Sequence, residues 1–147
     1  MPKIERFEDI KAWQKARTLN QELWPLLVQL NDAKIWSLKE QMMRSAGSVM
    51  DNIVEGFERG SSREFLTFLG YAKASAGELR SQLYRAFDFG QINAQDFEKK
   101  KAQIQEVSRM IGGFMAYLKN TDHRGSRLSE PELAYETRIE VPEDFLA

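Results

Sequence analysis

Apolar residues recur every three or four positions along four stretches of this chain, and that spacing predicts four amphipathic helices. The most regular seam is Phe65, Leu69, Ala72, Ala76, Leu79, Leu83 and Ala86, at steps of four and three. Trp13, Ala16, Leu23, Leu27 and Leu30 form an earlier seam, and Phe97, Ile104, Val107, Ile111, Phe114 and Leu118 form the last. The expected helices cover about residues 8–31, 37–59, 62–89 and 94–120. Their short connections and 3-4 spacing predict an all-α fold, an antiparallel up-down four-helix bundle.

Local chemistry sets the boundaries. Glu8 and Asp9 suit the first turn of the first helix, where the helix dipole favours negative charge. Pro25 lacks an N–H and crowds the preceding turn, so it predicts a kink there. Ser37 with Glu40, and Ser61 with Glu64, have the spacing of capping boxes, in which side chains satisfy the unpaired N–H groups of a first turn. Gly60 and Gly90 can take the left-handed conformation that ends a helix, and Asn93 is a good cap for the fourth.

The second helix carries more apolar surface than one core requires. Met42, Ala46, Val49 and Ile53 make one row, while Met43, Gly47, Met50, Val54 and Phe57 make another beside it. A single stripe is enough to bury a helix against one core, so two stripes predict a helix that also packs against another subunit. Gln41, Arg44, Ser48, Asn52 and Glu55 form a polar row along the same rod. Buried polar groups are expensive unless partnered, so these residues, with Glu78, are expected to form a hydrogen-bonded network at an oligomer interface. In that network Glu55 and Glu78 would pair with Arg44 or Arg80 of another subunit.

Residues 1–120 therefore read as one domain and residues 121–147 as an acidic tail, flexible or docked on a neighbour. Residues 122–147 hold seven acids against three arginines, a balance of −4, which leaves +3 on the body of a chain whose net charge is −1. A mildly basic body permits polyanion binding without demanding it. The candidate nucleic-acid contacts are Arg59, Arg63, Arg80, Arg85, Lys99, Lys100 and Lys101. No apolar run reaches the roughly 18 residues of a membrane span, so a cytoplasmic location is expected.

Catalytic chemistry finds few carriers. The chain has no Cys, which removes disulfides, thiolate nucleophiles and cysteine-ligated metals. Its one His, His123, lies beyond the expected bundle, so neither a Glu-x-x-His di-iron site nor a well-placed catalytic triad can be assembled. A metal-dependent hydrolase built on Glu55 and Glu78 is the remaining enzymatic alternative. The expectation is a non-enzymatic protein without a cofactor, a catalytic residue or a metal site.

One set of residues resembles a known family. Phe7, Trp13-Gln14-Lys15-Ala16, Leu38, Gln41, Arg44, Ala46, Ser48, Asn52-Ile53, Glu55-Gly56-Phe57, Arg59 and Ser62 are similar to the 23S rRNA intervening sequence proteins. The likeness continues through Glu64-Phe65, Phe68-Leu69, Ala72, Ser75, Glu78-Leu79 and Gln82-Leu83, and covers about residues 7–118. It implies a bacterial up-down four-helix bundle that assembles into a ring, a homopentamer, of unestablished role. Location within rRNA genes implies RNA as a candidate partner; another protein is the second candidate. A related bundle implies an alternative, the nucleic-acid-binding accessory subunit of a diversity-generating retroelement reverse transcriptase. Met43 stands where the family commonly has an Arg, and Met50 where it has a Pro, so this chain is less basic and its second helix straighter than the resemblance alone would imply.

Overall fold

The computed structural model describes residues 2–124 and 139–147. Four helices account for most of them: α1 (Lys11–Asp32), α2 (Trp36–Glu58), α3 (Ser62–Asp88) and α4 (Ala94–Arg124). A single turn of 3-10 helix at Phe7–Asp9 precedes α1, and another at Glu143–Phe145 lies near the end of the chain. The described residues contain no β-strand, only two isolated bridges between the chain's extremities. None of the helices is long and apolar enough to cross a membrane among those residues.

Each helix buries its seam. α1 contributes Leu19, Leu23, Leu27 and Leu30, α2 contributes Leu38, Met42, Val49, Ile53 and Phe57, and α3 contributes the full Phe65-to-Ala86 row. α4 closes the core with Phe97, Ile104, Val107, Ile111, Phe114 and Leu118. The helices pack in chain order, α1 on α2, α2 on α3 and α3 on α4, and α4 returns onto α1. Where α2 gives way to α3, Phe57 and Phe65 meet edge to face at 5.9 Å, and Phe65 meets Phe114 at 5.2 Å. Gly56 allows this closeness: a Cβ there would stand 2.7 Å from the Cβ of Phe68 and 3.2 Å from the Cα of Phe65.

The helix ends show how far local chemistry reaches. The N–H of Glu64 donates to Ser61 Oγ at 3.1 Å, and the Ser61 hydroxyl donates to the Glu64 carboxylate at 3.1 Å. Asn93 caps α4 through the N–H of Asp96 at 2.8 Å. Gly60 and Gly90 take φ of 81° and 72°. Ser61→Ala should lower stability by about 1 kcal/mol, the usual worth of such a cap, read as a drop in the urea midpoint; an unchanged midpoint would show that the cap contributes nothing.

Ser37 does not cap α2, contrary to the sequence expectation. Lys34 takes φ of 61°, and the N–H of Ile35 returns to the carbonyl of Leu30 at 2.9 Å, which closes α1 by a Schellman-type turn. Ile35 packs against the core and is also the N-cap position of α2. The connection is so short that α2 begins at Trp36, and Ser37 lies inside the helix, where its Oγ accepts from Gln41 Nε2 at 3.3 Å. α1 begins at Lys11 rather than residue 8, and it stays helical through Pro25.

The residues read as an acidic tail divide into three parts. Residues 121–124 complete α4, residues 125–138 lie outside the described residues, and residues 139–147 pack on the same chain's N-terminal segment. Ile4 N–H donates to the Ile139 carbonyl at 2.9 Å, Val141 N–H to Pro2 at 3.1 Å, and Ala147 N–H to Asp9 at 2.8 Å. Val141 and Ile4 are fully buried by this contact. Phe145 sets its ring against Phe114 at 5.1 Å and Tyr117 at 5.7 Å, and the Tyr117 hydroxyl donates to the Glu140 carbonyl at 2.6 Å. Apolar side chains thus anchor a segment whose three remaining residues, Glu140, Glu143 and Asp144, are all acidic.

Candidate functional site

Helical spacing spreads the polar row of α2 over two directions. Gln41 and Ser48 turn toward α3, where Gln41 Oε1 accepts from Arg85 Nη1 at 3.0 Å and the Ser48 and Ser75 hydroxyls meet at 2.9 Å. Asn52 Nδ2 donates to the Ser48 carbonyl at 2.9 Å and to its Oγ at 2.8 Å. These partners all belong to the same chain and form a hydrogen-bonded seam between α2 and α3. Arg44, Glu55 and Glu78 point outward and are exposed. Within the chain Glu55 pairs with Arg59 one turn along, at 2.8 Å. Arg44 and Glu78 make no ion pair among the described residues.

The basic residues are dispersed. Arg59 is held by Glu55 and Glu64 and lies over the Phe68 ring at 5.0 Å, and Arg85 is engaged with Gln41. Lys99, Lys100 and Lys101 are consecutive on a helix, so each points about 100° from the last. Lys99 is exposed, while Lys100 turns into the groove between α1 and α4. Lys101 lies over the Phe97 and Tyr84 rings at 5.3 and 5.7 Å, and its hydrogen bond to Glu98 holds its ammonium above the usual lysine range. Arg63 and Arg80 are exposed on α3 at positions well separated along it. No single basic face gathers the seven.

Carboxylates do not cluster either. Among the described residues no group of three or more His, Cys, Asp or Glu side chains is placed to hold a metal ion. A recess of about 280 Å³ lies between α1, α4 and the connection that precedes α4, lined by Glu22, Gln29, Gln91, Asp96 and Lys100 among others. Gln103 Nε2 donates to the Glu22 carboxylate beside it. That hydrogen bond, and then the charges of Lys100 and Lys99, hold the Glu22 carboxyl below its ordinary 4.5 in spite of some desolvation. A carboxyl whose folded pKa is depressed adds stability above its unfolded pKa and loses it as pH falls through the folded value. Glu22→Gln should therefore flatten the acid side of the stability profile below about pH 4.5 and leave it unchanged at pH 7 in shape; a parallel acid limb would show that Glu22 plays no part.

The apolar surplus of α2 is the feature that survives on the surface. Phe57 is buried in the core, Met50 packs partly against it and Val54 is half-buried, but Met43 remains 44% exposed. It borders a recess of about 270 Å³ between α1 and α2 with Trp24, Leu27, Val28, Asn31 and Lys39. Trp24 is 57% exposed and Val28 40%, and Trp36, one turn before Lys39, is 55% exposed. Lys39 Nζ donates to Asn31 Oδ1 at 3.1 Å across the recess, so its charge is held at the rim. Large apolar side chains gathered on one face of a soluble protein mark an interaction surface, whereas scattered ones need no explanation. The α1 residues Trp24 and Val28 were missed from the sequence because both sit off the α1 seam, one position from Leu23 and Leu27; two residues of this kind four apart on a helix were the available signal.

The fold and this surface define a small four-helix all-α protein with an exposed apolar recess and dispersed charge. The chain belongs to the 23S rRNA-intervening sequence protein family, whose model it matches over residues 8–113. Among solved structures it is similar to a protein of unknown function from the S23 ribosomal protein family of Bacteroides thetaiotaomicron. The two are 21% identical, with a TM-score of 0.67, and the match covers 71% of this chain and 97% of that one. At that identity the likeness is one of fold. No curated protein matches the chain.

Proposed function

We propose that this protein is a non-enzymatic scaffold, an up-down four-helix bundle that assembles with copies of itself into a ring through the face shared by α1 and α2. The up-down course is supported by the pairs Gln41 with Arg85, Ser48 with Ser75, and Gly56 with Phe65 and Phe68, in which rising positions on α2 meet falling positions on α3. The observation that carries the assembly is the exposed Trp24, Val28 and Met43 around an open recess, with Trp36 exposed two turns before Met43 on α2. Its aromatic and Met content is that of an interface centre, and covering it removes apolar surface from water at roughly 25 cal/mol per Å². The dispersed basic residues favour this reading over one in which RNA is the principal partner. Sedimentation velocity at micromolar concentration tests it: the expected particle is a multiple of 17.0 kDa, and a folded 17.0 kDa monomer would overturn the reading.

A further inference from the structure

We propose that the recess on α1 and α2 of one copy is covered by the opposite side of the next copy, the face shared by α3 and α4, so that subunits join head to tail. This rests on the self-assembly proposed above and names its second surface. Four helices that pack in chain order, with α4 returning onto α1, form a square in which the α1–α2 side and the α3–α4 side face opposite ways. An α1–α2 face that met only the same face of another copy would give a two-fold dimer and stop there. A ring needs two different surfaces on each subunit, meeting in a heterologous contact.

The α3–α4 side carries a second exposed apolar set at the right height. Phe87 stacks on Phe97 of α4 at 4.5 Å, Tyr84 meets the same ring edge-on at 5.0 Å, and both α3 rings remain exposed. Gln41 bonds Arg85, Glu22 bonds Gln103, and Lys101 lies over Tyr84, so Trp24, Met43 and Tyr84 stand at about one level of the bundle. Two copies set side by side with their helices pointing the same way therefore bring the two apolar sets into register.

Charge selects the same pairing. Glu40, Asp51 and Glu58 are exposed on α2 within about 80° of Met43 round the helix, and they make no ion pair among the described residues. The bases of that side are engaged within it: Lys39 bonds Asn31, and Arg17 lies over the Trp13 ring. On α3, Lys73 and Arg80 are exposed within about 40° of Tyr84 and are likewise unpaired, while Glu98 beside them is held by Lys101. The levels match as well. Asp51 and Lys73 stand within one turn of the Ser48–Ser75 contact, displaced the same way along the bundle, and Glu40 adjoins Gln41 at the level of Tyr84. Acids round one apolar patch thus meet bases round the other, whereas a contact between two α1–α2 faces would set acid against acid.

Mixing two blocked variants tests the pairing. One full-length chain carries Trp24→Glu with Met43→Glu and keeps its α3–α4 face; the other carries Arg80→Glu with Tyr84→Glu and keeps its recess. Sedimentation velocity should show each alone self-associating at least about 30-fold more weakly than the parent. An equimolar mixture should form a particle of twice 17.0 kDa containing one of each, since one intact recess and one intact α3–α4 face remain. Lys73→Glu with Arg80→Glu keeps the Tyr84 ring on Phe97 and reads the same face by charge alone, so it takes the place of the Tyr84 variant should that one lose helix content. An α3–α4 variant that assembles like its parent overturns the head-to-tail pairing and leaves self-assembly standing. If that variant has also lost binding of a fluorescent single-stranded oligonucleotide shown by the parent, the basic face serves a polyanion instead. Two monomeric variants that do not pair when mixed overturn the proposal as well. A monomeric parent overturns both it and the self-assembly on which it rests.

Discussion

Phe65→Ala should destabilise the protein by about 3–5 kcal/mol, the cost of emptying a buried aromatic site that cannot collapse. Phe65 is fully buried and sits between Phe57 of α2 and Phe114 of α4, and Phe114 in turn carries Phe145 of the C-terminal segment. Its removal therefore leaves a void that borders three helices and weakens the seat of Phe145. Domains of this size have about 5–15 kcal/mol in all, so the variant should lose a large share of its stability and its melting temperature should fall by roughly 10 °C or more. Chemical denaturation checks the free energy, and a loss under about 1 kcal/mol would mean that neighbouring rings refill the space. Relaxation is opposed by Gly56, whose missing Cβ already brings α2 as close to Phe65 and Phe68 as backbone contact allows.

The second large effect falls on assembly and spares the fold. Trp24→Glu combined with Met43→Glu should dissociate the proposed oligomer while leaving helix content and melting temperature close to those of the parent. Both side chains are substantially exposed in the single chain, and surface changes of this kind usually alter stability by no more than about 0.5 kcal/mol. At an interface the same two positions would place carboxylates where a Trp anchor and a Met had been buried. Loss of one such anchor commonly costs 2 kcal/mol or more, at least about 30-fold in the dissociation constant, and an unpaired buried charge adds to that. Sedimentation of parent and variant side by side decides the matter. A variant that sediments like its parent assembles through some other face, and a variant that melts far below it owes more of its own core to this recess than the exposures of Trp24 and Met43 indicate.

Particular elements show how much of this was legible. The Phe65-to-Ala86 seam, the Ser61 and Asn93 caps and the Gly60 and Gly90 stops all depend on residues within one or two turns of each other, and each is where the spacing predicted it. Ser37 met the same local rule and failed it. A long-range-insensitive pattern cannot see that Ile35 already serves as the end of one helix and the start of the next. The candidate site was legible only as a set of faces. The polar row of α2 announced that Gln41, Ser48 and Asn52 need partners; Asn52 finds Ser48 within the row, but nothing in the row names those of Ser48 and Gln41, since Ser75 and Arg85 lie 27 and 44 residues away and are supplied by α3. Glu55, by contrast, finds Arg59 within one turn.

The sequence by itself determined four helices, their buried stripes and most of their ends, because periodicity and capping are decided by neighbours within a few residues along the chain. Tertiary structure alone decided which helix covers which stripe, that Met43 stays open beside Trp24 and Val28, that Ile139 and Val141 return to a segment more than a hundred residues earlier, and that Phe145 docks on Phe114 of α4. A helical period states how far round the rod an apolar face extends. It carries no record of what lies opposite, since that depends on how whole helices pack and on which distant groups can share the exclusion of water.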